Sequence, residues 1–573
     1  MRQIALILGA FAFAPILAAA QVTVSGTVLD RNEMPLELAH VHLFAMPGEI
    51  GSDPIETIEV GPDGSFSFSV ADPGYYNMAI TGVNHQATLT PLIIREEDEG
   101  EEIGMKVMLS PNEFATALEN VRIIGDWNDF SFRTADTMTR RKDGKFVYTF
   151  ETDRSEVHYQ LIGITTGFAA ERSVNQPGSE AYVYDGGGDY RSIMKVRPGT
   201  VSILLDPATL PAHEGAGGMV MFDDFWRNQL FELQMLYDET VKGMVQELMA
   251  AQKRAAESGE EVAFDPTSYW QGVAEMAANF MMIPDHNEYV RQYAALTLAR
   301  AMSNARDPKV IGATPERVAA LKETLPFSAP LWVAQPMAAM SVAFYGIDQK
   351  DIEGQEVAAV ALHEQSTIPV IRGLALANAA MLAKYRGDHA RLQERYDLLV
   401  ADYGELGNEM VDYYIEMLDP NSVVQVGKKV PAFSVALEDG KGTVVSNETM
   451  RGRYYLIDFW ATWCGPCVGE MPQLHAAYKR FAGENFEVLS LSFDSEFSKV
   501  TAFQESRYPM PWLHAFVDGG FRSELARAFE VQGIPKPVLV NPEGIIVATE
   551  GELRGDHLEK TLEKFLGDDQ AMN

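Results

Sequence analysis

From Val22 to about Ser110 apolar and polar positions alternate in short runs: Val22-Thr23-Val24-Ser25-Gly26-Thr27-Val28, His40-Val41-His42-Leu43-Phe44 and Ser65-Phe66-Ser67-Phe68-Ser69-Val70. A period of two bounded by turn residues predicts half-buried strands, and so a small β-sandwich over 21–112. A second β module is predicted over 113–210, where Val121-Arg122-Ile123-Ile124-Gly125-Asp126-Trp127-Asn128 leads on to Lys145-Phe146-Val147-Tyr148-Thr149-Phe150. Over 211–424 the pattern changes to Ala, Leu, Met and Glu at helical spacing, as in Val318, Leu321 and Leu325 after the capping pair Thr314-Pro315. Breaks at Pro284, Pro308, Pro326 and Gly346 predict helices in antiparallel pairs. Over 425–573 strands and helices alternate: Tyr454 to Trp460 extended, Cys464 to about Ala482 helical, Phe486 to Phe493 extended. On that helix Met471, Leu474, Tyr478 and Phe481 share a face, which buries them against a sheet and leaves Cys464 at the N-terminal end, with a local kink expected at Pro472. The fold class expected is thus multidomain, with N-terminal β-sandwich modules, a central all-α domain and a C-terminal α/β domain.

A chain of 573 residues exceeds what one hydrophobic core supports, in keeping with several domains. Its composition, 46% hydrophobic and 22% charged, is that of a folded protein. The formal net charge of −35 repels phosphate and anionic lipid, so no nucleic-acid partner is expected. At the N-terminus Arg2 precedes an apolar run from Ile4 to Leu17 and then Ala18-Ala19-Ala20. This reads as a signal peptide over 1–20, cleaved after Ala20, and places the protein outside the cytoplasm, in the periplasm or cell envelope. No later segment reaches the roughly 20 apolar residues of a spanning helix, so no membrane span is expected in the mature protein.

The chain has two cysteines, Cys464 and Cys467, and an exported protein could have used many more as staples. Any intrachain disulfide is therefore this short one, a spacing that serves exchange better than stability. By itself Cys-x-x-Cys is weak evidence, since zinc sites also use it. No metal or cofactor is expected elsewhere. His40 and His42 share a strand face without a third ligand, and the acidic run Glu96 to Glu102 lacks calcium-loop spacing. Gly186-Gly187-Gly188 has no following Lys-Ser or Lys-Thr, and His363-Glu364 has no second histidine four residues on.

Four motifs occur in order: Gly427-Lys428-Lys429-Val430-Pro431-Ala432-Phe433, Asp458-Phe459-Trp460-Ala461-Thr462-Trp463-Cys464-Gly465-Pro466-Cys467, Glu470-Met471-Pro472 and Gly533-Ile534-Pro535. Together they resemble the TlpA/ResA-like branch of the thioredoxin superfamily, over about a quarter of the chain. The resemblance implies an extra helix and strand between Cys467 and Pro535. It also implies a cis Pro535, with Ile534 offering backbone hydrogen bonds to an extended substrate segment. Thiol chemistry assigns the rest. Cys464, at a helix N-terminus, is expected to be the exposed nucleophilic thiolate, and Cys467, one turn inside, the resolving thiol. Asp458, six residues earlier on an apolar strand, is the candidate buried acid that takes the proton of Cys467. Trp463, Gly465 and Pro466 complete the expected substrate contacts, and Trp460 is expected to pack around the thiol.

The function expected is disulfide reduction in client proteins, with electrons from a membrane thiol-transfer donor. The Gly-Pro pair between the cysteines belongs to the reducing end of the family's range, about −270 mV for thioredoxin against about −120 mV for DsbA. A peroxidase of the same superfamily would want a cysteine apart from this dithiol. The alternative is an envelope scaffold or binding protein with an accessory redox domain. The segments Gly26-Thr27-Val28, Asp63-Gly64-Ser65-Phe66 and Pro73-Gly74-Tyr75 resemble transthyretin-like or carboxypeptidase-regulatory-like modules. The stretch around Trp127 resembles an immunoglobulin-like module of the glycogen-binding type, in which Trp127 either stacks on a sugar or serves an ordinary core.

Overall fold

A computed structural model describes residues 21–567, apart from 37, 50–51, 167–171, 212–217, 259–261, 263, 306, 439, 484 and 556. The signal peptide read over 1–20 lies outside the described residues. The chain is multidomain, with many β-sheets, a central helical region and a C-terminal α/β domain, and it divides into two compact units, Met1–Asp412 and Tyr413–Asn573.

In the first unit the N-terminal alternation forms two four-stranded sheets around a shared core. One has the spatial order Met219–Phe222, Glu102–Met108, Val22–Leu29, Ser65–Val70; the other Glu56–Glu59, Ala39–Ala45, Gly74–Gly82, Thr88–Ile94. Ser65–Val70 shows how the period of two works: Phe66, Phe68 and Val70 are buried while the serines between them are exposed. The strand Met219–Phe222 lies inside the stretch read as helical and pairs antiparallel with Glu102–Met108. Immediately after it, Arg227 on the helix Phe225–Ser258 reaches Asp98 at 2.6 Å, an ion pair with both side chains buried.

The next β region holds a three-stranded sheet, Thr139–Arg140, Phe146–Thr152 and Gly199–Leu205, and a six-stranded one in which Glu156–Ile162 pairs with both Arg122–Gly125 and Tyr190–Lys195. Val121, Ile123, Leu161 and Ile203 fill its core. The helices that follow pack in neighbouring pairs, Thr267–Met282 on Glu288–Asn304 and Ile352–Gln365 on Pro369–Arg386. Thr314 caps Pro315–Thr324 by accepting from the Arg317 N–H, and Val318, Leu321 and Leu325 are buried as the spacing predicts.

The second unit is built on a five-stranded sheet ordered Leu513–Phe516, Phe486–Ser492, Tyr454–Trp460, Lys536–Val540, Ile546–Ala548. The first three run parallel and the last two pair antiparallel. Buried on both faces, the central strand reads as a continuous apolar run broken only by Asp458. The helix Gly465–Phe481 presents Met471, Leu474 and Ala477 to the core, and Pro472 sits within it without ending it. The helix Phe497–Ser506 and the strand Leu513–Phe516 are the extra helix and strand expected between Cys467 and Pro535.

Candidate active site

The site forms where the central strand Tyr454–Trp460 ends and the helix Gly465–Phe481 begins. The connecting turn is pinned from the loop that follows the neighbouring strand Phe486–Ser492. Asp494, 3% exposed, accepts from the Thr462 N–H at 3.0 Å and the Thr462 hydroxyl at 2.6 Å, and is itself steadied by Ser492 at 2.9 Å. Cys464 is the N-cap of the helix, its Sγ accepting from the Cys467 N–H at 3.2 Å. Lys479 and Arg480 lie in the last turn and no acid lies in the first, so the helix dipole favours negative charge on Cys464.

Cys464 and Cys467 are joined in a disulfide. Both are buried, at 5% and 4% exposure, so the expected exposure of Cys464 is not met in this oxidised form. The backbone closes over the sulfur: Cys464 Sγ lies 3.6 Å from the Ile534 carbonyl oxygen, just before the cis Ile534–Pro535 bond. Around this closed pair the surface is open. Gly465 and Pro466 are exposed, and nothing lies within 4 Å of where a Cβ on Gly465 would stand. Trp463 is 58% exposed and Phe521 is 40% exposed, with ring centroids 6.4 Å apart. Trp460, by contrast, is wholly buried in the core, as a packing residue should be.

Beside Cys467 is a small cavity of about 30 Å³, lined by Asp458, Glu470, Met471, Pro535 and Pro537, with room for one water. Burial pushes the Asp458 carboxyl up to about 7; the Ser490 hydroxyl, donating at 3.4 Å, pulls against this and the nearby Glu470 carboxylate adds to it. Pro537 lies directly opposite Asp458 in the antiparallel pairing, so the strand position without an N–H faces the buried acid. Glu470 accepts from Arg554 Nε at 2.8 Å, on the rim of the same cavity. Glu470 was visible only as part of a motif and carried no assigned role. Asp494 and Phe521 belong to segments well after the dithiol and had no motif at all.

Cys464, Cys467, Asp458, Ile534 and Pro535 are thus brought together, with Trp463, Gly465 and Pro466 on the exposed rim. The other candidates go elsewhere. His40 Nδ1 is 2.9 Å from the Tyr190 hydroxyl and His42 Nδ1 3.1 Å from that of Thr57, and among the described residues no group of three or more His, Cys, Asp or Glu is placed to hold a metal. Trp127 donates from Nε1 to Asp136 at 2.9 Å and packs against Tyr148 and Phe150, centroids 5.2 and 4.3 Å away. It also lies over Gly125, where an added Cβ would meet its ring at 2.5 Å, so this indole is engaged with its own module. Larger cavities, about 440 and 350 Å³, are lined by residues of the first unit; chemistry rather than size marks the site at the disulfide.

Residues 426–549 match the AhpC/TSA family. Thiol-disulfide oxidoreductase ResA of Bacillus cereus is 26% identical over 176 residues, 31% of this chain and 95% of that protein. Human nucleoredoxin is 33% identical over 116 residues, 20% of this chain and 26% of that protein. Among solved structures, the thioredoxin domain of a thiol-disulfide oxidoreductase from Bacteroides vulgatus is 32% identical, covering 25% of this chain and 98% of that one, with a TM-score of 0.23. Among the described residues no helix is long and apolar enough to cross a membrane. The order of the four motifs, the family match and the alignment to ResA make the C-terminal domain a TlpA/ResA-like thioredoxin-fold domain of the AhpC/TSA family.

Proposed function

We propose that the protein is an exported thiol–disulfide oxidoreductase that reduces disulfides of client proteins through Cys464 and Cys467. The observation that carries this reading is the disulfide at a helix N-terminus, flanked by the Ile534 carbonyl on one side and by a cavity containing a buried acid on the other. In the reduced protein the Cys464 thiolate attacks one sulfur of a client disulfide, giving a mixed disulfide and a client thiolate. Asp458, ionised, takes the proton of Cys467. The Cys467 thiolate then attacks Cys464 Sγ, releasing the second client thiolate and leaving the Cys464–Cys467 disulfide seen here. Two electrons pass to the client, and a membrane thiol-transfer partner returns them. Trp463 and Phe521 offer an apolar surface beside the sulfurs for the client chain, and the Ile534 backbone pairs with its extended segment.

Cys467→Ala tests the reading directly, because a mixed disulfide can then no longer be resolved. The variant should accumulate client proteins covalently bound through Cys464, releasable by dithiothreitol, while Cys464→Ser captures none and fails to reduce insulin. A potential near −120 mV, measured for the intact protein against glutathione buffers, would reverse the direction proposed. The scaffold reading gains if Cys464→Ser abolishes insulin reduction and leaves the cellular phenotype intact.

A further inference from the structure

The first unit contains a polar cavity of about 350 Å³ between the N-terminal β region and the helices, a size and placement typical of small-molecule sites. Tyr293, Thr297 and Arg300 recur at helical spacing along Glu288–Asn304 and all line it. The helix Phe225–Ser258 contributes Gln234 and Asp238, and the β region supplies Glu49. Met46, Leu89 and Leu296 give the cavity an apolar wall.

Its polar groups are held in place, but its charges are not closed on one another. Tyr293 donates to Gln234 at 2.6 Å, and Gln234 donates to Asp238 Oδ1 at 2.7 Å. Arg300 stacks on Tyr237, 4.1 Å from the ring centroid, and forms no ion pair within 4.0 Å among the described residues. Where buried carboxylates of this unit do pair with arginines they close at contact distance, Asp98 with Arg227 at 2.6 Å and Glu356 with Arg395 at 2.5 Å. Here a guanidinium and two carboxylates face one cavity and stand apart. Asp238 forms no ion pair within 4.0 Å among the described residues; burial pushes its carboxyl up and Glu49 adds to the rise, while Gln234 and the more distant Arg300 oppose it.

We propose that this cavity binds a small zwitterion, a free amino acid or dipeptide whose carboxylate meets Arg300 and whose ammonium meets Asp238 and Glu49. Guanidinium and carboxylate pair in a planar fork, which favours a ligand carboxylate over a neutral polar group. The ammonium supplies what Asp238 is missing, and an aliphatic side chain suits the wall of Met46, Leu89 and Leu296.

Saturation-transfer NMR and calorimetry on the intact protein, with leucine, glycyl-leucine, N-acetyl-glycyl-leucine and glycyl-leucinamide, test this. At least one of the two zwitterions should bind with a Kd below about 1 mM, and blocking either end should weaken binding at least about tenfold. Leucine and glycyl-leucine together tell a free amino acid from a dipeptide. Arg300→Gln and Asp238→Asn should each weaken binding by a similar factor while insulin reduction is unchanged. Failure of both zwitterions to bind, or equal binding of the blocked forms, overturns the proposal. So does unaltered binding by Arg300→Gln. If either variant fails to fold, the blocked ligands decide the matter on the unaltered protein.

Discussion

Two buried carboxylates, one in each unit, have opposite surroundings. Glu356, on a helix of the first unit and 6% exposed, meets three guanidinium groups: Arg395 at 2.5 Å, Arg386 at 2.6 Å and Arg391 at 3.1 Å. Burial pushes its carboxyl up, but the three arginines together hold it below the ordinary range. Asp458, 8% exposed, meets no cation among the described residues; it meets a serine hydroxyl and shares a cavity with a second carboxylate, and its carboxyl rises to about 7. Asp458 is the more deeply enclosed of the two, since Arg386 and Arg391 around Glu356 reach solvent, so depth and partners act together. A carboxylate ringed by arginines stays charged at every physiological pH and serves architecture. One left among apolar groups changes charge near neutrality, which is what a proton acceptor for a thiol requires.

The largest effect expected from breaking this contrast is on stability. Glu356→Gln takes the shared counter-charge from Arg395 and Arg386 and leaves Arg391 with Asp388 at 3.5 Å; because Arg391 is half-exposed, the loss stands at the low end, about 3 kcal/mol, of what breaking a buried ionic cluster costs. Calorimetry of the intact chain should show the transition of the first unit lowered by that amount, with insulin reduction per folded molecule unchanged. A loss below about 1 kcal/mol would mean that the cluster is solvated like a surface ion pair.

Asp458→Asn should do the reverse, lowering reduction of insulin about 100-fold at pH 8 by removing the proton acceptor. It should also change how stability depends on pH. The folded carboxyl titrates near 7 and the unfolded one near 3.8, so as pH rises through that window the unfolded chain sheds a proton that the folded domain keeps. Stability therefore falls as pH rises from about 4 to about 7 and is level above, for a total of about 4 kcal/mol. Native-state hydrogen exchange of the central-strand amides should follow this fall in the unaltered protein and lose it in Asp458→Asn. A flat profile in both would place the ionised carboxylate in water.

The two carboxylates were unequally legible in the chain. Asp458 stands out because it interrupts an apolar strand six residues before a dithiol, and both the strand and the dithiol are local patterns. Glu356 stands in an ordinary helical stretch, and its arginines come from 30 to 39 residues further on, a distance at which no periodicity speaks. The same limit hid Asp494, which pins the turn before Cys464 from the loop just after the adjoining parallel strand, and Met219–Phe222, whose sheet partner precedes it by more than a hundred residues. Where contacts follow from alternation or helical spacing, as in Ser65–Val70 or Met471 with Leu474, burial followed the pattern. Ile534, 70 residues from Cys464, was legible as part of the site only through the motif resemblance, and that resemblance did not convey that its carbonyl lies 3.6 Å from the sulfur of a buried Cys464.

The smallest effect, and the one that tests the environment of Asp458 most finely, belongs to Glu470→Gln. Glu470 adds to the rise of the Asp458 carboxyl, after burial, and the two line the same cavity as Cys467. Removing its negative charge while keeping its shape should let Asp458 ionise at lower pH. The midpoint at which insulin reduction rises with pH should then move downward from about 7, by less than one unit because burial is the larger cause. Two to threefold faster reduction on the acid side of the midpoint, with little change at pH 8, is the signature of such a shift. In Asp458→Asn the same Glu470 substitution should leave the remaining pH profile where it was, since the group through which it acts is gone. An unmoved midpoint in Glu470→Gln would show that Arg554, bound at 2.8 Å, already neutralises Glu470 as seen from Asp458. A midpoint that moved upward would contradict repulsion of the ionised Asp458 by the Glu470 carboxylate.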